Sequence, residues 1–330
     1  MLGVSIIGTG MYVPNTVVTN DDFAKIVDTN DEWITSRTGI KTRHIATDVT
    51  TFQMGGFAAQ KALKSAKLSA DDIDMIIVST VTGDYVTPST ACLVANEIGS
   101  INAVCMDVNC ACAGFVYALD MARRYLFDDE YKNILIVSSE MLSKITDYTD
   151  RATCVLFGDG AGACVVTKSD KLFTCVLGGD ASGVSKLFGR GIPPSNPFMK
   201  EPFDKMSDGF VESNGNSLYM DGREVYKFAT KVMPQAVIKA CEKAHITPED
   251  LALIIPHQAN IRIVETAAKN LKLPIEKFFI NIQKYGNMSS ACIPIGIDEA
   301  SKMGIIKAGD KICIVGFGAG LTYGAAVIEW

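Results

Sequence analysis

Three short stretches of the 330-residue chain hold side-chain types suited to nucleophilic catalysis by a cysteine. The first is Asp107-Val108-Asn109-Cys110-Ala111-Cys112-Ala113-Gly114-Phe115. The apolar run Ile101 to Val108 reads as a buried strand. From Ala113 to Leu126, Phe115, Leu119, Ala122 and Leu126 recur at helical spacing. Cys112 therefore falls at a strand-to-helix turn, near the unpaired N–H groups that open a helix. Such a place stabilises a thiolate, so the thiol is expected to ionise more easily than a free one. The plain alternative is a small buried hydrophobe, and the choice depends on partners elsewhere in the chain.

A cysteine nucleophile needs proton handling and donors for the charge on its adduct. Of three histidines, His245 follows a helix and suits a cap, while His44 lies among Arg37, Lys41 and Arg43 and suits an anion contact. His257 follows the apolar Leu253-Ile254-Ile255-Pro256 and precedes a helix start at Gln258-Ala259-Asn260. That is the carboxyl end of a strand, where open α/β sheets place ligands. Asn287, in Tyr285-Gly286-Asn287-Met288-Ser289-Ser290-Ala291, is an amide at a tight turn before a helix. An ordinary cap by Asn287 or Ser289 is the plain alternative there.

The elements that must position these residues alternate. Strands are expected at 4–8, 73–80, 103–108, 134–138, 160–167 and 173–177, with helices at 51–67, 90–98 and 113–127 between them. After an irregular, Gly- and Pro-rich excursion over 182–222, which suits a site-covering loop, helices at 223–244, 260–271 and 289–303 alternate with strands at 252–255, 311–315 and 323–329. Such alternation implies an α/β fold with parallel strands. The second half repeats the first in pattern, without a residue-level repeat.

Composition narrows the function. The chain is 48% hydrophobic and 21% charged, as a well-buried globular protein is, and its net charge of −6 argues against a nucleic-acid binder. No apolar run reaches a membrane span, and the opening MLGVSIIGTGMYVP reads as a first strand and not a signal peptide. Ten cysteines lie mostly in apolar runs, with no Cys-x-x-Cys pair, so a reduced, metal-free, cytoplasmic protein is expected. Gly8-Thr9-Gly10 follows a strand, but Val13 and Pro14 preclude a dinucleotide-binding helix start.

Together, CACAGF (110–115), PHQANIRI (256–263), YGNMSSA (285–291) and GFGAGLTYGA (316–325) resemble the ketoacyl-[acyl carrier protein] synthase III family of the thiolase-like superfamily. Asp31-Glu32-Trp33-Ile34, Arg37-Thr38-Gly39-Ile40 and Phe157-Gly158-Asp159-Gly160-Ala161-Gly162-Ala163 extend the resemblance over essentially the whole chain. It implies a thiolase-like, five-layered αβαβα fold from two duplicated halves, 1–171 carrying the cysteine and 172–330 carrying the histidine and asparagine. It also implies a decarboxylative Claisen condensation. An acyl-CoA primer loads Cys112 and condenses with malonyl-[acyl carrier protein], initiating fatty-acid or polyketide synthesis.

By the same resemblance His257 and Asn287 complete a triad that binds the enolate oxygen, and backbone N–H groups of Cys112 and Ala319 form the oxyanion hole. Ala319 replaces the glycine of most relatives and would be strained at positive φ. Trp33 stacks on the adenine of coenzyme A with Arg37 and Arg151 in contact, and Lys227, Arg262 and Lys269 face an acidic carrier protein. Thr87 stands where short-chain relatives carry phenylalanine lining the partner subunit's acyl pocket, which implies primers longer than acetyl. The family implies a cytoplasmic homodimer that takes the coenzyme A thioester as substrate and needs no cofactor. Rival readings are a type III polyketide-synthase-like enzyme, an acyltransferase without decarboxylation, and a non-catalytic carrier-binding scaffold, which would need none of the triad.

Overall fold

The computed structural model describes residues 3–192, 197–198, 210 and 217–330. A five-stranded sheet takes the order Gly3–Tyr12, Asp159–Ser169, Asn133–Met141, Met75–Ser79, Val104–Val108. A four-stranded sheet takes the order Leu253–Pro256, Lys311–Gly318, Thr322–Glu329, Phe173–Gly179. Met75–Ser79 shows why the elements stack in layers. Its side chains are buried on both faces and point alternately to opposite sides. Met75 and Ile77 meet Phe115 and Leu119 of the helix Gly114–Tyr125, whereas Ile76 and Val78 meet Met54 and Ala58 of the helix Thr51–Ala66.

The inner cluster continues through Ile293 and Ile297 of the helix Cys292–Lys302 to Ile255, Ile312 and Ile314 of the second sheet. On that sheet's far face Ile254, Cys313 and Val315 pack against the helices Gly222–Lys243 and Ile261–Leu271. The layers are thus helix, sheet, helix, sheet, helix.

Two expectations need correction. The sheets are mixed, not parallel. Met75–Ser79 is parallel to both neighbours and Leu253–Pro256 to Lys311–Gly318, but the other pairs in the two sheets are antiparallel. Between Lys311–Gly318 and Thr322–Glu329 only residues 319–321 intervene, too few for a crossover. Second, 101–108 is not a buried strand. Val104–Val108 is the outer strand of its sheet, with Val104 44% exposed and Ile101 70% exposed, because among the described residues no strand covers its free edge.

The excursion expected over 182–222 lies partly outside the described residues. Its described ends form a short ribbon, Leu187–Phe188 paired with Tyr219–Met220.

Candidate active site

The position of the candidate nucleophile, Cys112, follows from one turn. The strand Val104–Val108 leads through Asn109 and Cys110 into a 3-10 turn, Ala111–Ala113, and then the helix Gly114–Tyr125. Ala111 adopts φ +46°, a left-handed residue that redirects the chain within one step. The strand Lys311–Gly318 of the second sheet approaches so closely that it must be glycine there. A Cβ on Gly318 would lie 2.6 Å from the Cys112 nitrogen, and one on Gly316 2.9 Å from the Cys112 oxygen.

Cys112, His257 and Asn287 line one cavity of about 750 Å³. His257 directly follows the strand Leu253–Pro256, and its N–H donates to the Val315 carbonyl at 2.8 Å. Its ring stands edge-on to Phe317, 5.3 Å between centroids. The side chain is buried, and burial drives the imidazolium pKa down to about 3, against a smaller opposing pull from the Ser289 backbone. The ring is neutral at physiological pH and offers one N–H donor.

Asn287 is fixed at both ends. Its N–H donates to Leu156 at 2.9 Å, its carbonyl accepts from Gly158 at 3.0 Å, and its Oδ1 accepts from the Ser289 N–H at 2.9 Å. With Oδ1 taken, the amide NH₂ is the end turned to the cavity. Neither Asn287 nor Ser289 caps a helix through its side chain, since the 3-10 turn Ser289–Ala291 begins at Met288 without a side-chain cap.

The thiol reverses an expectation. Cys112 keeps some exposure, through the cavity it lines, but protein packed around the sulfur pushes its pKa up to about 12. Desolvation outweighs the helix end, and Ser289 pulls weakly the other way. Ala319 lines the cavity too and is not among the residues at positive φ, so the expected strain is absent.

Trp33 lines the cavity and packs with two guanidinium groups, Arg37 4.6 Å and Arg151 5.0 Å from the ring centroid. Arg262 donates to the Ser36 carbonyl at 2.8 Å, beside Arg37. Lys269 lies two turns further along the same helix, exposed, and Lys227 on the adjoining helix pairs with Glu224 at 2.6 Å. Thr87 is exposed and does not line its own chain's cavity. His44 is not part of a basic surface. Its Nδ1 meets the Pro14 carbonyl at 2.5 Å, and Arg43 beside it is fully buried against Asn20 and the Val155 carbonyl. His245 sits at the helix end expected of it.

Sequence reasoning misses Glu140 and the roles of Gly316 and Gly318, and takes Ser289, which packs beside Cys112, only as a candidate cap. Two glycines at alternate positions of one strand are a usable sign of close backbone approach; nothing local marks Glu140.

A family model described as 3-Oxoacyl-[acyl-carrier-protein (ACP)] synthase III matches residues 106–181, and one for the C terminal of the same family matches residues 241–330. A beta-ketoacyl-[acyl-carrier-protein] synthase III of Clostridium acetobutylicum is 49% identical over 332 residues, covering 100% of this chain and 99% of the relative. The crystal structure of 3-oxoacyl-[acyl-carrier-protein] synthase III from Aquifex aeolicus VF5 superposes with TM-score 0.91 at 42% identity, covering 99% of this chain and 100% of that one. The priming beta-ketosynthase of the R1128 polyketide pathway superposes with TM-score 0.89 at 34% identity, covering 99% and 96%.

Proposed function

The chain belongs to the 3-oxoacyl-[acyl-carrier-protein] synthase III family, and on that premise we propose that Cys112, His257 and Asn287 divide one reaction between them. The fold is thiolase-like and the enzyme is a condensing acyltransferase that initiates fatty-acid synthesis. The observation that carries the assignment of roles is the meeting, in one cavity, of a thiol, a neutral imidazole and an amide whose oxygen is already engaged.

In the first half-reaction the Cys112 sulfur attacks the thioester carbonyl of an acyl-CoA primer. The tetrahedral oxyanion is received by the backbone N–H groups of Cys112 and Ala319, and coenzyme A departs. In the second, malonyl-[acyl carrier protein] enters and loses carbon dioxide. The enolate oxygen is held by the His257 N–H and the Asn287 NH₂, donors that do not give up a proton, each worth roughly 3–4 kcal/mol in such sites. The enolate carbon then attacks the acyl-Cys112 carbonyl, the carbon–sulfur bond to Cys112 breaks, and the 3-oxoacyl chain leaves on the carrier protein. No cofactor or metal takes part in these steps.

Trp33 would stack on the adenine of coenzyme A, with Arg37 and Arg151 displaced onto its phosphates. Arg262, Lys269 and Lys227 form the landing for the acidic carrier protein. Residues 1–171 and 172–330 are the two duplicated halves. We take the working form to be a cytoplasmic homodimer, built by pairing the free edge of Val104–Val108 with its copy. That dimer would bury the exposed Tyr85 and Val86 and bring Thr87 to the partner's acyl pocket. Among the described residues no helix is long and apolar enough to cross a membrane. Thr87→Phe is then expected to shift preference toward acetyl primers.

A second reading, priming of polyketide chains, is favoured by the likeness to the R1128 synthase. Intact mass after incubation with acyl-CoA tests the proposal. An adduct on the wild type that Cys112→Ala lacks, discharged by malonyl-carrier protein, is expected, and an adduct that survives Cys112→Ala contradicts it. Discharge by malonyl-CoA alone would favour the type III polyketide-synthase-like rival.

A further inference from the structure

Loading Cys112 raises a question the triad leaves unanswered. The attacking group is a thiol held up to about 12 by burial, while His257, with its pKa near 3, is a poor proton acceptor. Some other group must take the thiol proton when the sulfur bonds to the acyl carbon, and must return it when the sulfur leaves.

Behind the nucleophile lies a buried polar cluster. Glu140, at the end of the strand Asn133–Met141, is fully buried. Its Oε2 accepts from Thr82 Oγ1 at 2.7 Å, from the Val81 N–H at 3.1 Å and from Thr80 Oγ1 at 3.3 Å; its Oε1 accepts from Ser290 Oγ at 3.0 Å. A buried carboxyl with four donors is built to carry charge, although burial still raises its pKa and so improves it as a base. Ser289, one residue before Ser290, lines the Cys112 cavity and is 2% exposed. Its hydroxyl lies within reach of both the Cys112 sulfur and the Glu140 carboxylate, yet it is aligned as a hydrogen bond to neither. A buried hydroxyl without a fixed partner, between a thiol and a carboxylate, can turn to serve each. The thiols of Cys112 and Cys292 are the titratable groups that face Glu140, and His257 lines the same cavity, against the Ser289 backbone, as a neutral ring.

We propose that Ser289 and Glu140 form a proton relay behind Cys112. It rests on the acyl-Cys112 reading given above. As the sulfur bonds to the acyl carbon, its proton passes to Ser289 Oγ while the Ser289 proton passes to Glu140. The bond from the acyl carbon to coenzyme A breaks, and coenzyme A leaves as a thiolate that is protonated in solvent. When the enolate carbon later bonds to the acyl carbon and the Cys112 bond breaks, the sulfur leaves with the electron pair. The proton returns from Glu140 through Ser289, restoring thiol and carboxylate. Ser289 is the group within reach of the reacting sulfur; Glu140 acts through it.

The test is the single-turnover rate of acyl-Cys112 formation against pH, read by intact mass, for the wild type, Ser289→Ala and Glu140→Gln. Ser289→Ala keeps the backbone N–H that pins Asn287 and so isolates the hydroxyl, whatever Glu140→Gln does to folding. A relay predicts acylation slowed roughly 100-fold near neutral pH in Ser289→Ala, with a rate that climbs tenfold per pH unit as hydroxide takes over, where the wild type is level. Acylation within about threefold of wild type, or slowing by one factor at every pH, overturns the relay, since a lost general base shows itself in the pH dependence. An acylated wild type with an unaltered Ser289→Ala profile overturns the relay alone, whereas a wild type that takes no acyl group overturns the condensing reading and the relay with it.

Discussion

Asn109-Cys110-Ala111-Cys112-Ala113-Gly114 and Asn287-Met288-Ser289-Ser290-Ala291-Cys292 follow one backbone path. Cys110 and Met288 have ψ 31° and 32°, Ala111 and Ser289 have φ +46° and +50°, and a 3-10 turn runs from each into a central-layer helix. Cys112 and Ser290 thus occupy equivalent places, three residues after an asparagine. Their fates differ. Cys112 opens onto the cavity, whereas Ser290 is fully buried and donates to Glu140. Asn109 is exposed, whereas Asn287 is buried with its amide oxygen pinned. The path supplies a turn at a helix start twice over, and the side chains placed on it differ: a thiol open to the cavity on one copy, a buried hydroxyl and a pinned amide on the other.

The largest effect should separate the two equivalent positions. Cys112→Ala should abolish the adduct and lower condensation roughly 10⁶-fold, as loss of a nucleophile does. Ser290→Ala should instead appear in unfolding, at about 1–3 kcal/mol, because Glu140 loses a donor in a buried site. A Ser290→Ala protein as stable as wild type would break the contrast.

Next in size, Gly318→Ala puts a Cβ 2.6 Å from the Cys112 nitrogen. Displacing the Cys112 thiol by an ångström should lower condensation on the order of 100-fold, and unchanged kinetics would show that this strand does not fix the thiol's position.

The smallest effect concerns the donor side alone. An unfolded histidine protonates near 6.5 and folded His257 only near 3. Between those values the unfolded chain binds one proton more, so stability falls as pH drops through that window, by up to about 1.4 kcal/mol per pH unit. His257→Gln should reduce that slope by one proton, and denaturant titrations that give the same slope for both proteins would mean the ring is not held neutral.

Much of this is legible in the order of the amino acids alone. The expected strands and helices lie close to their observed spans because burial on both faces leaves continuous apolar runs such as Met75-Ile76-Ile77-Val78, and one-face burial leaves helical spacing such as Phe115 and Leu119. Cys112, His257 and Asn287 stand out because each lies in the short connection that leads into a helix. Strand direction does not, since alternation reports order and not the three-residue return at 319–321. The thiol's ionisation is not legible because a helix start is local, whereas desolvation of the sulfur comes from distant segments. The shared path of the two turns is hidden for a related reason. Only the asparagine and one alanine coincide between them, so the repeat lives in dihedral angles and not in letters.

The division of labour between the two turns is tested most directly by the half-reactions of Asn287→Ala and His257→Ala. Each is incubated with acyl-CoA, weighed as the intact protein, and then given malonyl-[acyl carrier protein]. The expected result is an acyl adduct on Cys112 in both variants, with condensation lowered roughly 10²–10³-fold for a missing donor. Loss of the adduct together with condensation would contradict it, and would place His257 and Asn287 in the loading of Cys112 as well.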